Sequence, residues 1–204
     1  MESSADAQEG VIEPGSDPVR GYSESELAAL SCNLVGLTAK AHSGVFSRRL
    51  DKELICELHG ELFKDVRAHA GHHRAKGSGT ERIVYCNRRS PNRDDVPSLL
   101  QSMMRTLDQS VESCLNNKGD PAYYESAIKI ACWAHAELIT IQPFEDGNKR
   151  IARLLLNIVL LRLKVSAVAL EIPHAEYMSA LLAYWDGDKR PFEDMVTVLL
   201  VEQE

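Results

Sequence analysis

Thirteen residues, Ile141-Gln-Pro-Phe-Glu-Asp-Gly-Asn-Lys-Arg-Ile-Ala-Arg153, hold the densest set of chemically competent side chains in the sequence. Pro143 ends one helix and Gly147 permits a tight turn, so the next helix is predicted to start near Asn148. Its first turns carry Lys149, Arg150 and Arg153. Cations are misplaced there, because the helix macrodipole disfavours them by ~0.3–1 kcal/mol each at exposed sites. The backbone N–H groups of a first turn favour an anion instead. Arg150 and Arg153 are three apart and share a face. Backbone donors, a glycine turn and three cations together describe a phosphate site. Asp146 beside it would suit Mg²⁺, which takes one or two carboxylates plus phosphate oxygens. A second reading of the same residues is a plain loop between core helices, its cations solvated or paired with Glu145 and Asp146. Spacing leaves both open.

Two apolar helices must hold this segment. One is predicted from Pro121 to about Ile141, with Ala127, Ile128, Ile130, Ala131, Cys132, Trp133, Ala134, Leu138 and Ile139 apolar nearly all round, and the other covers Ile151–Leu163. Helices of that composition are buried. Upstream, Ser23 and Glu26 form a capping box ahead of Leu27, Leu30, Leu34 and Leu37. Asp51 can cap a helix whose face carries Leu54, Ile55, Leu58, Leu62, Phe63 and Val66. Arg82–Cys86 reads as a short strand in a hairpin closed before Pro91. Asp94 or Asp95 is placed to cap a helix with Pro97 in its first turn and Val96, Leu99, Leu100, Met103, Met104 and Leu107 inside. Two more helices open at Pro173 and Pro191. The expected class is therefore mainly α, about seven helices with one small hairpin. Residues 1–21 are acidic and rich in Ser, Gly and Pro, which predicts a mobile tail before a single domain over 22–204.

With these elements in place, the segment resembles the Fic family, whose motif reads His-Pro-Phe-x-(Asp/Glu)-Gly-Asn-(Gly/Lys)-Arg-x-x-Arg. Here it runs from Gln142 to Arg153. The stretch Leu58–Val66 through Ala70-Gly71-His72-His73-Arg74 resembles the family's upstream helix and turn, Ile83–Val96 its hairpin "flap", and Glu176–Phe192 its closing helices. The resemblance implies a Fic-type helical domain and transfer of AMP from ATP to a protein hydroxyl. It implies that Asp146 holds Mg²⁺ and that Gly147, Asn148, Lys149 and Arg150 surround the phosphates. Arg153 would reach the terminal phosphate, and Phe144 would anchor the loop. Flap residues Ile83, Val84, Tyr85 and Cys86 would pair with a protein target by strand addition.

The sequence departs from that pattern at Gln142, where the family has the histidine that takes the proton of the attacking hydroxyl. An amide can orient a hydroxyl but cannot accept its proton. Loss of a general base costs about 10²–10⁴-fold. An impaired AMP-transferase and an inactive regulator that binds nucleotide or a partner are thus both open. Lys149 matches the Doc branch, which phosphorylates its targets, but Gly147 and Arg153 do not, so AMP transfer is the expected geometry. His135 lies two helical turns before Gln142, too far to replace it, and His174 follows a helix-opening proline. No inhibitory (Ser/Thr)-x-x-x-Glu-(Gly/Asn) helix is evident: Glu9-Gly10 has Ala5 in the hydroxyl position. An inhibitor, if used, is expected from a separate partner.

Composition trims the alternatives. The net charge of −7 over 204 residues argues against general attraction to nucleic acid or anionic lipid. Residues 67–93 carry seven basic side chains against Glu81 alone, which suits a target-facing flap. His69, His72 and His73 lack a partner Cys or carboxylate at ligand spacing. No apolar run nears the ~20 residues of a membrane helix. An acidic opening without a basic residue before Arg20 does not read as a signal peptide. Five scattered cysteines without a CxxC pair predict reduced thiols and a cytoplasmic setting.

Overall fold

A computed structural model describes residues 21–46, 50–74, 82–86 and 88–202. The predicted tail, up to residue 20, lies outside the described residues, as do Glu9-Gly10, Lys76 and Glu81. Seven α-helices are described: α1 (Glu24–His42), α2 (Lys52–Leu62), α3 (Val96–Asn116), α4 (Tyr123–Ile141), α5 (Asn148–Arg162), α6 (His174–Trp185) and α7 (Arg190–Val201). A two-stranded antiparallel hairpin, β1 (Val84–Tyr85) and β2 (Arg88–Arg89), precedes α3, with Val84 opposite Arg89 and Tyr85 opposite Arg88. The class is mainly α with a small hairpin, as the sequence implies.

The two apolar helices are the frame. α4 and α5 pack on each other more extensively than any other pair, and α4 also meets α3, α6 and α7, while α5 meets α1 and α2. That central position explains their composition. Ala131, Cys132, Ala134, Leu138, Ile151, Leu155, Leu156 and Val159 are sealed from solvent, whereas Ile130 and Trp133 are only partly buried. Ser23 caps α1 in a complete capping box with Glu26, and the Asp51 side chain accepts the Leu54 N–H at 2.9 Å.

Several predicted details shift. Leu34 and Leu99 sit on the correct helices but face water at 38% and 37% exposure. α2 stops at Leu62, so Phe63 and Val66 reach the core from the turn that follows, where Asp65 adopts φ 61°. Asp95 holds the N-cap position of α3 but makes no side-chain capping hydrogen bond, and Asn92 caps the 3₁₀ turn Arg93–Asp95 that leads into the helix. α4 begins at Tyr123 rather than Pro121.

Candidate active site

The loop between α4 and α5 is shaped by its two ends. Pro143 excludes the right-handed helical region for the residue before it. Gln142 accordingly ends α4 in the left-handed region, φ 48° and ψ 62°, and is 6% exposed. Gly147 opens α5 at φ 77°. A Cβ there would sit 2.2 and 2.4 Å from two carbons of the Phe63 ring. Glycine is therefore required twice, by the backbone angle and by the aromatic ring against it.

Inside the loop the backbone groups that face the core are engaged by side chains. The Asn148 side chain clamps Phe144, its oxygen accepting the Phe144 N–H at 2.9 Å and its nitrogen donating to the Phe144 carbonyl at 2.8 Å. Phe144 is fully buried and stacks on His59, ring centroids 3.8 Å apart, with Phe63 on the same imidazole at 4.6 Å. His59 Nδ1 accepts the Gly71 N–H at 2.9 Å, so Nε2 carries the proton and donates to the Asp146 carbonyl at 3.1 Å. Burial pushes the His59 pKa down to about 4, which keeps the ring neutral. Arg74, 1% exposed, donates from Nε to the Gln142 carbonyl at 2.7 Å and from a terminal nitrogen to the Pro91 carbonyl at 2.6 Å and the Ser90 hydroxyl at 3.0 Å. One guanidinium thus ties the end of α4 to the base of the hairpin.

The outer side of the loop is ionic. Asp146 accepts the Gly147 N–H at 2.5 Å through one carboxylate oxygen and the Tyr22 hydroxyl through the other. Burial, then Asp146, raises the pKa of that hydroxyl. Arg150 lies 5.5 Å from the Tyr22 ring centre, and Arg153 lies 5.1 Å from that of Tyr177, which α6 supplies. Arg153 Nε is buried without a hydrogen-bond partner. Lys149 Nζ is 5.6 Å from the ring centre of Tyr85, so the hairpin reaches the first turn of α5. Tyr85 is fixed in turn by Met178 and, edge-on, by Trp185, and Arg88 pairs with Asp186.

The structure thus brings Gln142, Asp146, Gly147, Lys149, Arg150 and Arg153 to one turn and sets Tyr85 beside them. Val84 is half-exposed, and Ile83 and Cys86 are partly buried at the ends of β1. The Asn148 side chain is committed to Phe144, and its backbone N–H lies in the first turn of α5, where helix N–H groups favour an anion. His135 is no substitute base. It is fully buried, bonded through Nε2 to the Tyr177 hydroxyl at 2.8 Å, and burial lowers its pKa to about 3. His174 sits exposed at the start of α6. Arg74, His59 and Tyr22 are the residues that sequence reading missed. The first two lie inside segments matched by resemblance, but nothing local marks their partners.

A model of the Fic/DOC family matches residues 49–160, more than half of the chain. The chain belongs to the Fic/DOC family. The protein adenylyltransferase Fic of Aedes aegypti is 40% identical to this Fic chain over 82 residues, 40% of the chain and 16% of the mosquito protein. The protein adenylyltransferase fic-1 of Caenorhabditis elegans is 44% identical over 66 residues, 32% of the chain and 13% of the worm protein. The chain thus spans under a fifth of the length of these curated relatives. A solved fragment of C. elegans Fic-1 superposes with a TM-score of 0.66 at 28% identity, over 89% of this chain and 51% of the fragment. BepC of Bartonella tribocorum, solved with bound AMPPNP, gives a TM-score of 0.66 at 16% identity over 86% of each chain, a likeness of fold.

Proposed function

We propose that this chain binds ATP·Mg²⁺ on the first turn of α5 and transfers AMP to a hydroxyl of a protein target held along the hairpin, with turnover limited by Gln142. The observation that carries the proposal is the outer face of the α4–α5 turn. A carboxylate, open first-turn N–H groups and two arginines converge there, one arginine with a buried and unsatisfied Nε. That donor set fits a metal-bound polyphosphate: one carboxylate for Mg²⁺, guanidinium groups and helix N–H groups for phosphate oxygens. Asp146 would hold the metal, which supplies charge neutralisation at the phosphates. Gly147, the backbone of Asn148, Lys149 and Arg150 would surround the α- and β-phosphates, and Arg153 would take the terminal one.

In the transfer, the target hydroxyl oxygen forms a bond to the α-phosphorus and the bond to pyrophosphate breaks. Arg150 and the helix N–H groups would stabilise the charge that builds on the phosphate oxygens. The hydroxyl must also lose its proton. Gln142 can hold the hydroxyl in line but cannot take that proton. Positioning and charge stabilisation remain, and the base contribution is missing. That the curated relatives are protein adenylyltransferases supports the activity, and the nucleotide in the BepC structure supports the ligand. Gly147 favours AMP transfer over a Doc-like reaction, whose motif has alanine at this place: the Phe63 ring leaves no room for that methyl group. The reading without turnover, a nucleotide- or partner-binding regulator, draws its support from Gln142 alone. An inhibitory partner would act from outside this chain. A reducing, cytoplasmic setting is supported by five free cysteines. Among the described residues no helix is long and apolar enough to cross a membrane.

Calorimetric titration with ATP and Mg²⁺ tests the binding half. The chain should bind, and Arg150→Ala should weaken binding by about tenfold, the worth of a charge-assisted hydrogen bond at a partly exposed site. No heat with millimolar ATP, for protein shown to be folded, would reject the site.

A further inference from the structure

The Tyr22 side chain, from outside the Gln142–Arg153 segment, meets both signs of charge in the candidate phosphate site. Its hydroxyl donates to the Asp146 carboxylate. Its ring lies against Arg150 at 5.5 Å and, on a closer approach, against Arg67 at 4.1 Å. The carboxylate that would face a cation faces a hydroxyl proton instead, and the guanidinium that would face a phosphate faces an aromatic ring. Hydroxyl and ring together engage the two groups, Asp146 and Arg150, that a metal-bound phosphate would use. Both contacts cross the chain, since Tyr22 stands 124 residues before Asp146.

The segment bearing Tyr22 is tied down through Arg67. Arg67 donates to the Gly21 carbonyl at 3.0 Å and pairs with Glu26 at 2.7 Å. Gly21, exposed and at φ 105°, lies just before Tyr22, and the capping box at Ser23 starts the rigid helix just after it. Tyr22 is partly buried with its ring packed on the edge of the core, and the glycine before it is the point at which the backbone can turn to release it. Glu26 and Arg67 meanwhile anchor the start of α1 beside the site, so the side chain returns when the site empties.

We propose that Tyr22 is a built-in gate, closing the Asp146–Arg150 site in the nucleotide-free chain and leaving it when nucleotide with its metal binds. The proposal rests on the reading of that turn as a nucleotide site. It differs from inhibition by a glutamate-bearing helix, because the blocking group is neutral and covers the metal carboxylate and Arg150 rather than Arg153. A gate of this kind lowers apparent affinity by the fraction of chains in which it is open. A hydrogen bond to a charged group closing the site nine times in ten corresponds to about a tenfold loss.

The test is calorimetric titration of the full chain with ATP and Mg²⁺ for three proteins: the natural chain, Tyr22→Phe and Tyr22→Ala. Tyr22→Phe keeps the ring packing and removes only the hydroxyl, so it guards against a folding defect in the alanine variant. The expected order is tightest for Tyr22→Ala, by about tenfold over the natural chain, with Tyr22→Phe between them. Amide hydrogen exchange in α4 and α5 of the natural chain should slow on saturation with nucleotide, while that of the first turn of α1 stays unchanged. Equal affinity of the three proteins would overturn the gate and leave the nucleotide site standing. Weaker binding by Tyr22→Ala would overturn it too, assigning Tyr22 to nucleotide contact. Binding by none of the three would overturn the nucleotide-site reading and the gate with it.

Discussion

The two sides of the α4–α5 turn are built from adjacent residues to opposite rules. Toward the core, Gln142, Pro143, Phe144, Gly147 and Asn148 are buried, and hydrogen bonds from Arg74, His59 and Asn148 occupy the carbonyls of Gln142, Phe144 and Asp146. Toward solvent, Asp146, Lys149, Arg150 and Arg153 are partly exposed and meet aromatic faces and a hydroxyl rather than one another's charges. A saturated inner side fixes where the backbone goes. An ionic outer side, whose described contacts include the Tyr22 hydroxyl and three tyrosine rings, can exchange such contacts for a ligand. The lesson is a division of labour: changes on the inner side should appear as lost stability, changes on the outer side as lost binding.

The largest expected effect on stability is at Gly147. Gly147→Ala places a methyl group inside the Phe63 ring and forces a side chain into a left-handed backbone. Overpacking and the unfavourable φ together should cost about 3–4 kcal/mol in urea unfolding. A loss under 1 kcal/mol would mean the inner side yields, and the division fails.

Acid should act next, also on the inner side. His59 and His135 are held near pKa 4 and 3 by burial, against about 6.5 in the unfolded chain. A depressed histidine stabilises the fold only where the unfolded chain is neutral as well. Its contribution is complete above about pH 6.5 and declines as pH falls towards 4, because the unfolded state takes up protons that the folded state refuses. From pH 7 to pH 5 the two rings should together remove on the order of 3 kcal/mol of unfolding free energy. Denaturant curves at the two pH values measure it, and His59→Gln should remove about half of the slope. A flat profile would show that these rings are not buried neutral groups.

The smallest effect on stability belongs to the outer side. Arg150→Ala should change unfolding free energy by less than about 0.5 kcal/mol, as for a partly exposed side chain with an aromatic contact, while reducing nucleotide affinity. A loss of several kcal/mol would turn Arg150 into part of the frame and blur the comparison.

How much of this was legible follows the same line. Helical periodicity and local caps are short-range signals, so α1, α2 and the buried pair α4 and α5 could be read from Ser23, Asp51 and the apolar runs. The outer cations were legible because three basic residues at a helix start contradict the macrodipole. The inner polar groups were not. Arg74 and Gln142 are 68 residues apart, and His59 and Asp146 are 87 apart. A buried arginine or histidine looks in sequence like any exposed one until its distant carbonyl is known. Leu34 and Leu99 fail in the opposite sense: both fit the apolar stripe, yet no neighbouring element covers them fully. That the Asn148 amide closes the turn on Phe144 is likewise unmarked in the local sequence. Tyr22 gave no signal, since a lone tyrosine before a helix cap predicts nothing about an acid 124 residues away.

The central claim is that this turn is an AMP-transfer site lacking only its base. The direct measurement compares the natural chain with Gln142→His for transfer of label from ATP labelled on the α-phosphate, to the chain itself or to lysate proteins, with γ-labelled ATP run alongside. Histidine brings an unperturbed pKa of ~6.5 to the position that meets the hydroxyl, so transfer of the α-label should rise by at least ~10²-fold while nucleotide affinity stays nearly constant. Equal rates for the two proteins would contradict the account, because another group would then be taking the proton.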